Sequence, residues 1–314
     1  MSIVILALLL TKILMGSVSL GRPQQLIKIL EKADIDSTLF INGQMSPRLV
    51  SGNFLTTEGP AVSRDGNIYF TDKPADRIYR YDLEGKLSIF KERAGRPSGM
   101  YIDASDNLIT CSGKEHEIWS TDLQGKSSVL LSSQDFEHLN GPNDLWINKN
   151  GDIYFTDSYY PAKENPSEKI KSDTTRQRVL LSPAQDRKNV KVVDQDLKKP
   201  NGIVGSADGK TMYVADIAAN KTYRYSVGAD GSLLDKTVFI EIGADGIILD
   251  ERGNLYLTGN EITIGNASGK IIGHITTPSK KITNLCFGGK ERNLLFITAF
   301  KEIYVLAMNV RGIE

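Results

Sequence analysis

The chain is predicted to be all-β: a six-bladed β-propeller of four-stranded antiparallel blades, with the ring closed by an N-terminal strand. Three features predict this. Six segments share one ruler whose marks are Glu58, Ser98, Asn143, Asn201, Asp245 and Asn284, separated by 40, 45, 58, 44 and 39 residues. Seven residues after each mark comes a turn: Asp65-Gly66, Ser105-Asp106, Asn150-Gly151, Asp208-Gly209, Arg252-Gly253 and Glu291-Arg292. Just beyond each turn lies an apolar strand: IYFTD (68–72), LITCS (108–112), IYFTD (153–157), MYVAD (212–216), LYLTG (255–259) and LLFITA (294–299). A strand-turn-strand unit recurring at this period cannot bury its apolar faces alone and does so by stacking on its neighbours in a ring.

The remaining strands follow in order. Third strands alternate apolar and polar residues, as half-buried antiparallel strands do: 77–83, 117–123, 178–183, 221–227 and 302–308, with only EITIG (261–265) in the weak fifth repeat. Fourth strands are expected at 86–90, 126–130, 189–193, 236–240 and 270–275. The sixth repeat runs out of chain after its third strand. PRLVSG (47–52), ahead of the first repeat, has the character of the missing one. An N-terminal strand placed there leaves no open sheet edge at the seam. The propeller domain is therefore set at 46–314, after a lead-in at 22–45 with a helix expected over 24–33. The long third spacing comes from the polar segment 158–177, an insertion that either lids one mouth of the channel or lies there as a plain loop.

Composition excludes several classes. Lys+Arg and Asp+Glu are equal at 38 each, so the net charge of zero gives no electrostatic argument for nucleic acid, which needs a basic surface to release counterions. The two cysteines, Cys111 and Cys286, fall in blades that are not neighbours and have neither zinc nor CxxC spacing, so they read as buried apolar fillers. The apolar run at 3–10, followed by small residues at 16–21, reads as a signal peptide over 1–21 and a periplasmic or secreted protein, with a cytoplasmic one as the alternative. No stretch of 18 uncharged residues asks for a membrane span. A monomer or weak dimer is expected.

Inner strands of a propeller line its axis, so the six marks converge there as two carboxylates, three amides and a hydroxyl. Asn-Gly and Asp-Gly pairs are ordinarily turn chemistry. Asn201-Gly202 and Asp245-Gly246, however, precede the hairpins by seven residues and stand where an inner strand begins. Two carboxylates buried side by side are costly without a cation. A set of oxygen ligands selects a hard divalent ion: calcium first, then magnesium, with zinc or manganese by substitution.

The stretches EGPAVSRDGNIYFTD (58–72), LNGPNDLWINKNGDIYFTD (139–157), KPNGIVGSADGKTMYVAD (199–216), GADGIILDERGNLYLTG (243–259) and TNLCFGGKERNLLFITA (283–299) resemble the senescence marker protein/gluconolactonase family of lactone hydrolases. That resemblance implies one divalent metal on the axis, held or flanked by Glu58, Asn143, Asn201 and Asp245. It implies a substrate-side or supporting role for Asn140, His138, Asp144, Ser98 and Asn284. His138 stands where the family often has arginine, and Ser98 where it often has asparagine. The expected reaction is opening of a sugar-type lactone to a hydroxy acid, the metal polarising the carbonyl and Asp245 activating water. Phosphotriester hydrolysis on the same site, and a non-catalytic propeller holding a metal or a sugar acid, are the alternatives.

Overall fold

The computed structural model describes residues 35–113, 115–136, 139–160 and 176–313. The expected signal peptide, the helix over 24–33, His138 and the loop residues 161–175 lie outside these. Two short 3-10 turns, Ser37–Leu39 and Ile41–Gly43, precede the first strand, β1 (Arg48–Ser51). Blade 1 is β2 (Thr57–Val62), β3 (Ile68–Asp72), β4 (Arg77–Tyr81) and β5 (Leu87–Glu92). Blade 2 is β6 (Pro97–Ile102), β7 (Leu108–Ser112), β8 (Glu117–Thr121) and β9 (Ser127–Leu131). Blade 3 is β10 (Pro142–Ile147), β11 (Ile153–Asp157), β12 (Arg178–Ser182) and β13 (Lys191–Asp194). Blade 4 is β14 (Pro200–Gly205), β15 (Thr211–Asp216), β16 (Lys221–Val227) and β17 (Leu233–Ile240). Blade 5 is β18 (Ile247–Leu249), β19 (Leu255–Leu257), β20 (Ile262–Gly265) and β21 (Ile271–Ile275). Blade 6 is β22 (Asn284–Gly288), β23 (Leu294–Ala299) and β24 (Glu302–Ala307), and its fourth strand is β1.

All six sheets are antiparallel meanders, and the seam is closed by the N-terminal strand as expected: Arg48 pairs with Val305 and Leu49 with Tyr304. The eighth residue after every mark takes a positive φ: Gly66, Asp106, Gly151, Gly209, Gly253 and Arg292. The shared ruler is thus a repeated hairpin geometry. Apolar residues fill the gaps between blades. Phe70 of β3 meets Phe296 of β23 at 5.3 Å between ring centres, while Trp146, Tyr154, Ile203 and Val214 join blades 3 and 4. Each fully buried aromatic or branched side chain contributes about 1.5–3 kcal/mol. Cys111 and Cys286 lie buried within these layers and form no disulfide.

Residues 36–43 pack with the propeller: Asp36 N–H donates to the Ile272 carbonyl, Asn309 N–H to the Leu39 carbonyl, and Phe40 is buried.

In blades 1, 3 and 4 the last residue of the second strand is an aspartate that holds the approach to the inner strand. Asp72 accepts the Leu55 and Thr56 amides, each at 3.0 Å. Asp157 accepts the Gly141 amide at 2.9 Å and is paired with buried Arg178 at 2.5 Å. Asp216 accepts three amides, Lys198 at 2.7 Å, Lys199 at 2.9 Å and Ala219 at 3.0 Å. The aspartate of the second strand therefore anchors the loop that carries the chain to its mark. Replacing Asp216 with alanine strands three amides and is expected to cost about 3 kcal/mol in urea unfolding. A loss below about 1 kcal/mol would refute this anchoring role.

Candidate metal centre and active site

In blades 1 to 4 the inner strand begins with a register break: Glu58 to Ala61, Pro97 to Met100, Pro142 to Leu145, and Pro200 to Ile203. The marks Ser98, Asn143 and Asn201 lie inside these bulges and Glu58 stands at the edge of one, and a bulge turns a side chain out of the sheet's alternation. Asp245 stands two residues ahead of β18, and Asn284 pairs regularly with Thr298. Neither Gly202 nor Gly246 has a positive φ, so these dipeptides are not left-handed turns. They permit close approach. A Cβ on Gly246 would lie 2.3 Å from Asn284 Oδ1, and one on Gly99 would lie 2.1 Å from Asp144 Oδ1.

Hydroxyls of the second strands link these crowded starts. Thr156 accepts the Asp144 amide at 3.1 Å and donates to the Asn201 carbonyl of the next blade at 2.9 Å. Thr258 accepts the Gly246 amide at 2.8 Å and donates to the Thr283 carbonyl at 3.3 Å. Thr283 in turn donates to the Thr57 carbonyl at 2.8 Å. At the same place in blade 1, opposite Glu58, the Thr71 hydroxyl is buried without a hydrogen-bond partner among the described residues.

Asn201 is the centre of the cluster. Its amide nitrogen donates to Asp245 Oδ1 at 2.6 Å and to the Tyr160 hydroxyl at 2.8 Å, which leaves its oxygen free of both. Burial pushes the Glu58 carboxyl well up, helped by the negative charges of Asp245 and Asp144 and opposed by Lys73 and the Gly59 amide. Burial also raises Asp245 to about 6, against the opposing pull of the Asn201 amide and the ammonium groups of Lys73, Lys281 and Lys199. The Tyr160 phenol is pushed up by burial and by Asp245 and Glu58, so it stays protonated. Asp144 and Asn284 each accept the following residue's amide, at 3.0 Å from Leu145 and 2.8 Å from Leu285. Asn143 sits in the β10 bulge beside Asp144, and its carbonyl lies against Gly99. Its side chain makes no hydrogen bond with the described residues. Ser98 accepts from Lys73 Nζ at 2.5 Å. Buried Asn140 donates to the Arg176 carbonyl at 2.5 Å, and its side-chain oxygen has no partner among the described residues. His116 packs beside Gly141, and His274 lies 3.1 Å from Glu261 in blade 5.

Among the described residues no three His, Cys, Asp or Glu side chains form a metal-binding group. The axial cluster is instead two carboxylates plus amide oxygens. It fits a hard cation on its own chemistry: two neighbouring half-buried carboxyls repel each other, Glu58 has no ion pair with the described residues, and the Thr71 hydroxyl is orphaned nearby. A separate cavity of about 600 Å³ opens at the hairpin end of the inner strands, lined in part by Arg64, Asp103, Asn148 and Ser206, and it includes none of the six marks.

Tyr160, Lys73, Lys199 and Lys281 were not singled out by the sequence reading. Their signal was adjacency: Lys73 follows IYFTD, Lys199 precedes Pro200-Asn201, Lys281 precedes Asn284 by three residues, and Tyr160 closes the SYY that follows the second IYFTD.

Six meander blades around a buried oxygen cluster define the class, a β-propeller with its site on the axis. Residues 44–301 match the family described as SMP-30/Gluconolactonase/LRE-like region, and the chain belongs to that family. A gluconolactonase of Zymomonas mobilis is 27% identical over 282 residues, covering 80% of this chain and 78% of that protein. The lactonase drp35 of Staphylococcus haemolyticus is 25% identical over 189 residues, 58% of this chain and 54% of that protein. Among solved structures, a gluconolactonase of Xanthomonas campestris superposes with a TM-score of 0.77 at 22% identity, covering 87% of this chain and 91% of its own. The calcium-binding protein regucalcin of Agrobacterium tumefaciens does so with a TM-score of 0.70 at 18% identity, covering 85% and 95%. At these identities the two structures speak for the fold alone.

The raised carboxyl groups carry a pH prediction. Asp245 holds its proton up to about 6 in the folded chain, against 3.8 for an exposed aspartate. Its stabilising contribution without metal is thus complete below 3.8 and lost as pH rises through about 6. A cation binds the deprotonated pair, so stabilisation by calcium must grow over the same window. At a hundredfold excess over Kd, calcium is expected to raise Tm by ~5 °C at about pH 7.5 and by less than half that at about pH 5. A calcium shift unchanged between the two would count against Glu58 and Asp245 as the ion's anionic ligands.

Proposed function

We propose that the protein is a divalent-metal-dependent hydrolase that opens sugar-type lactones to hydroxy acids at the axial cluster. The observation that carries this reading is the half-buried pair Glu58 and Asp245 with Asn201 hydrogen-bonded to Asp245, in a chain of the gluconolactonase family. Glu58, Asn143, Asn201 and Asp245 would hold the ion, with calcium favoured by the all-oxygen set. When bound, that ion supplies a Lewis acid that stabilises negative charge developing on the carbonyl oxygen.

The chain's own groups do the rest. Asp245, raised to about 6, is deprotonated at neutral pH yet basic enough to take a proton from the attacking water. Asn201 fixes one Asp245 oxygen and leaves the other for that proton. As the ring carbon–oxygen bond breaks, the proton passes from Asp245 to the leaving oxygen, so water's hydrogen and hydroxyl end on the two halves of the opened ring. Tyr160 accepts from Asn201, and its own proton is uncommitted among the described residues. It is placed to donate that proton in a hydrogen bond to a substrate oxygen. The unpaired oxygen of Asn140 suits a sugar hydroxyl.

Hydrolysis of a lactone panel, followed by proton release, tests the reading. Activity should vanish with chelator and return with one of calcium, magnesium, zinc or manganese. Failure on every lactone with metal bound would move the assignment to phosphotriesters and then to a binding role. Asp245→Asn should keep the fold and lower kcat by ~100- to 10,000-fold. Near-normal turnover in that variant would remove Asp245 as the base. Tyr160→Phe should lower kcat by about 100-fold with metal affinity kept, and an unchanged kcat would exclude it as a donor.

A further inference from the structure

Among the described residues three lysines stand around the axial cluster, Lys73 in contact with one of its marks and Lys199 and Lys281 one side chain further out. Lys73 Nζ donates to Ser98, one of the six axial marks, at 2.5 Å. Lys199 Nζ lies 4.1 Å from the centre of the Tyr160 ring, whose hydroxyl touches Asn201. Lys281 Nζ lies 4.6 Å from the centre of the Phe300 ring, and the Phe300 carbonyl accepts the Thr57 amide next to Glu58. None of the three forms an ion pair with a carboxylate of the described residues. Lys188, Lys221 and Lys236, elsewhere on the protein, are paired at 2.8, 3.6 and 2.8 Å. The chain as a whole is neutral, so this concentration of ammonium groups is local.

The carboxylates of the cluster are Glu58, Asp245 and Asp144; Lys73 acts electrostatically on Glu58, and all three lysines act on Asp245. A divalent ion on Glu58 and Asp245 offsets those two charges and leaves three cations against Asp144. A neutral sugar lactone has nothing to answer that surplus. Resting on the lactonase reading, we propose that the site selects lactones bearing a second, anionic group, a carboxylate or phosphate on the sugar, and that Lys73, Lys199 and Lys281 bind it. The ammonium groups flank the ring-opening site, so an anion held among them leaves the lactone carbonyl at the axial cluster. Such attraction is screened by salt.

The test compares the metal-loaded protein on glucono-1,5-lactone, 6-phosphoglucono-1,5-lactone and glucaro-1,4-lactone. At low ionic strength kcat/KM should be at least ~10-fold higher for an anionic lactone, falling towards the neutral value as salt is added. The better of the two anionic lactones identifies the group as phosphate or carboxylate. Lys73→Met, Lys199→Met and Lys281→Met should each cut the anionic-to-neutral ratio by about fivefold, while Lys→Arg at the same positions retains it. If glucono-1,5-lactone is turned over and the anionic ones are no better, the lactonase reading survives and this inference falls. If no lactone is hydrolysed, calorimetric binding of 6-phosphogluconate against gluconate still decides it. Tighter, salt-sensitive binding of 6-phosphogluconate that weakens in the methionine variants supports it, and equal binding overturns it.

Discussion

Six inner strands can share one axis only if their first residues approach more closely than side chains ordinarily allow. Gly99 and Gly246 make room for the side chains of Asp144 and Asn284 on the neighbouring blades. Around them Thr156, Thr258 and Thr283 carry hydrogen bonds from blade to blade, so the crowded backbone amides and carbonyls are paired although no sheet ladder crosses between blades. The inner strands of blades 1 to 4 bulge at the same place, which turns Asn143 and Asn201 out of the sheet pattern just beside the paired Glu58.

That geometry sets the electrostatics. Burial raises both Glu58 and Asp245, and the charge of Asp245 adds to the rise at Glu58. The fold accepts this cost, and a low-dielectric site is where a cation, a base near neutrality and a protonated phenol act most strongly. Amides at Asn143 and Asn201 add oxygens without adding charge. The lysines at the rim lower Asp245 without holding it in an ion pair, so burial still keeps it basic. Had one of them paired with it directly, its carboxyl would have been driven down and its value as a base lost.

Much of this was legible from the chain. The repeat placed all six hairpins, because the eighth residue after each mark has to adopt a positive φ and the sequence supplies Gly, Asp or Arg there at constant spacing. The weak fifth repeat is weak in three dimensions too, with inner strands of three residues. Family resemblance named Glu58, Asn201 and Asp245, and the fold brings these together. Ser98 and Asn140 were also named, but their partners were not: Lys73 and the Arg176 carbonyl are 25 and 36 residues away. Tyr160 was taken as part of an insertion, since a tyrosine after a strand looks like any other loop residue until its hydroxyl is seen on Asn201.

The sequence alone determined the number of blades, the seam strand and the ring of polar marks, because periodicity, turn chemistry and alternation are local properties that each repeat states separately. Only the tertiary structure decided which site residues face one another, which fold back on their own backbone, as Asp144 and the mark Asn284 do, and which cations surround them. Those outcomes depend on how six bulged strands crowd at one axis, where contacts between residues as distant as Asn201 and Asp245, or Thr57 and Thr283, are set by ring closure and not by spacing along the chain.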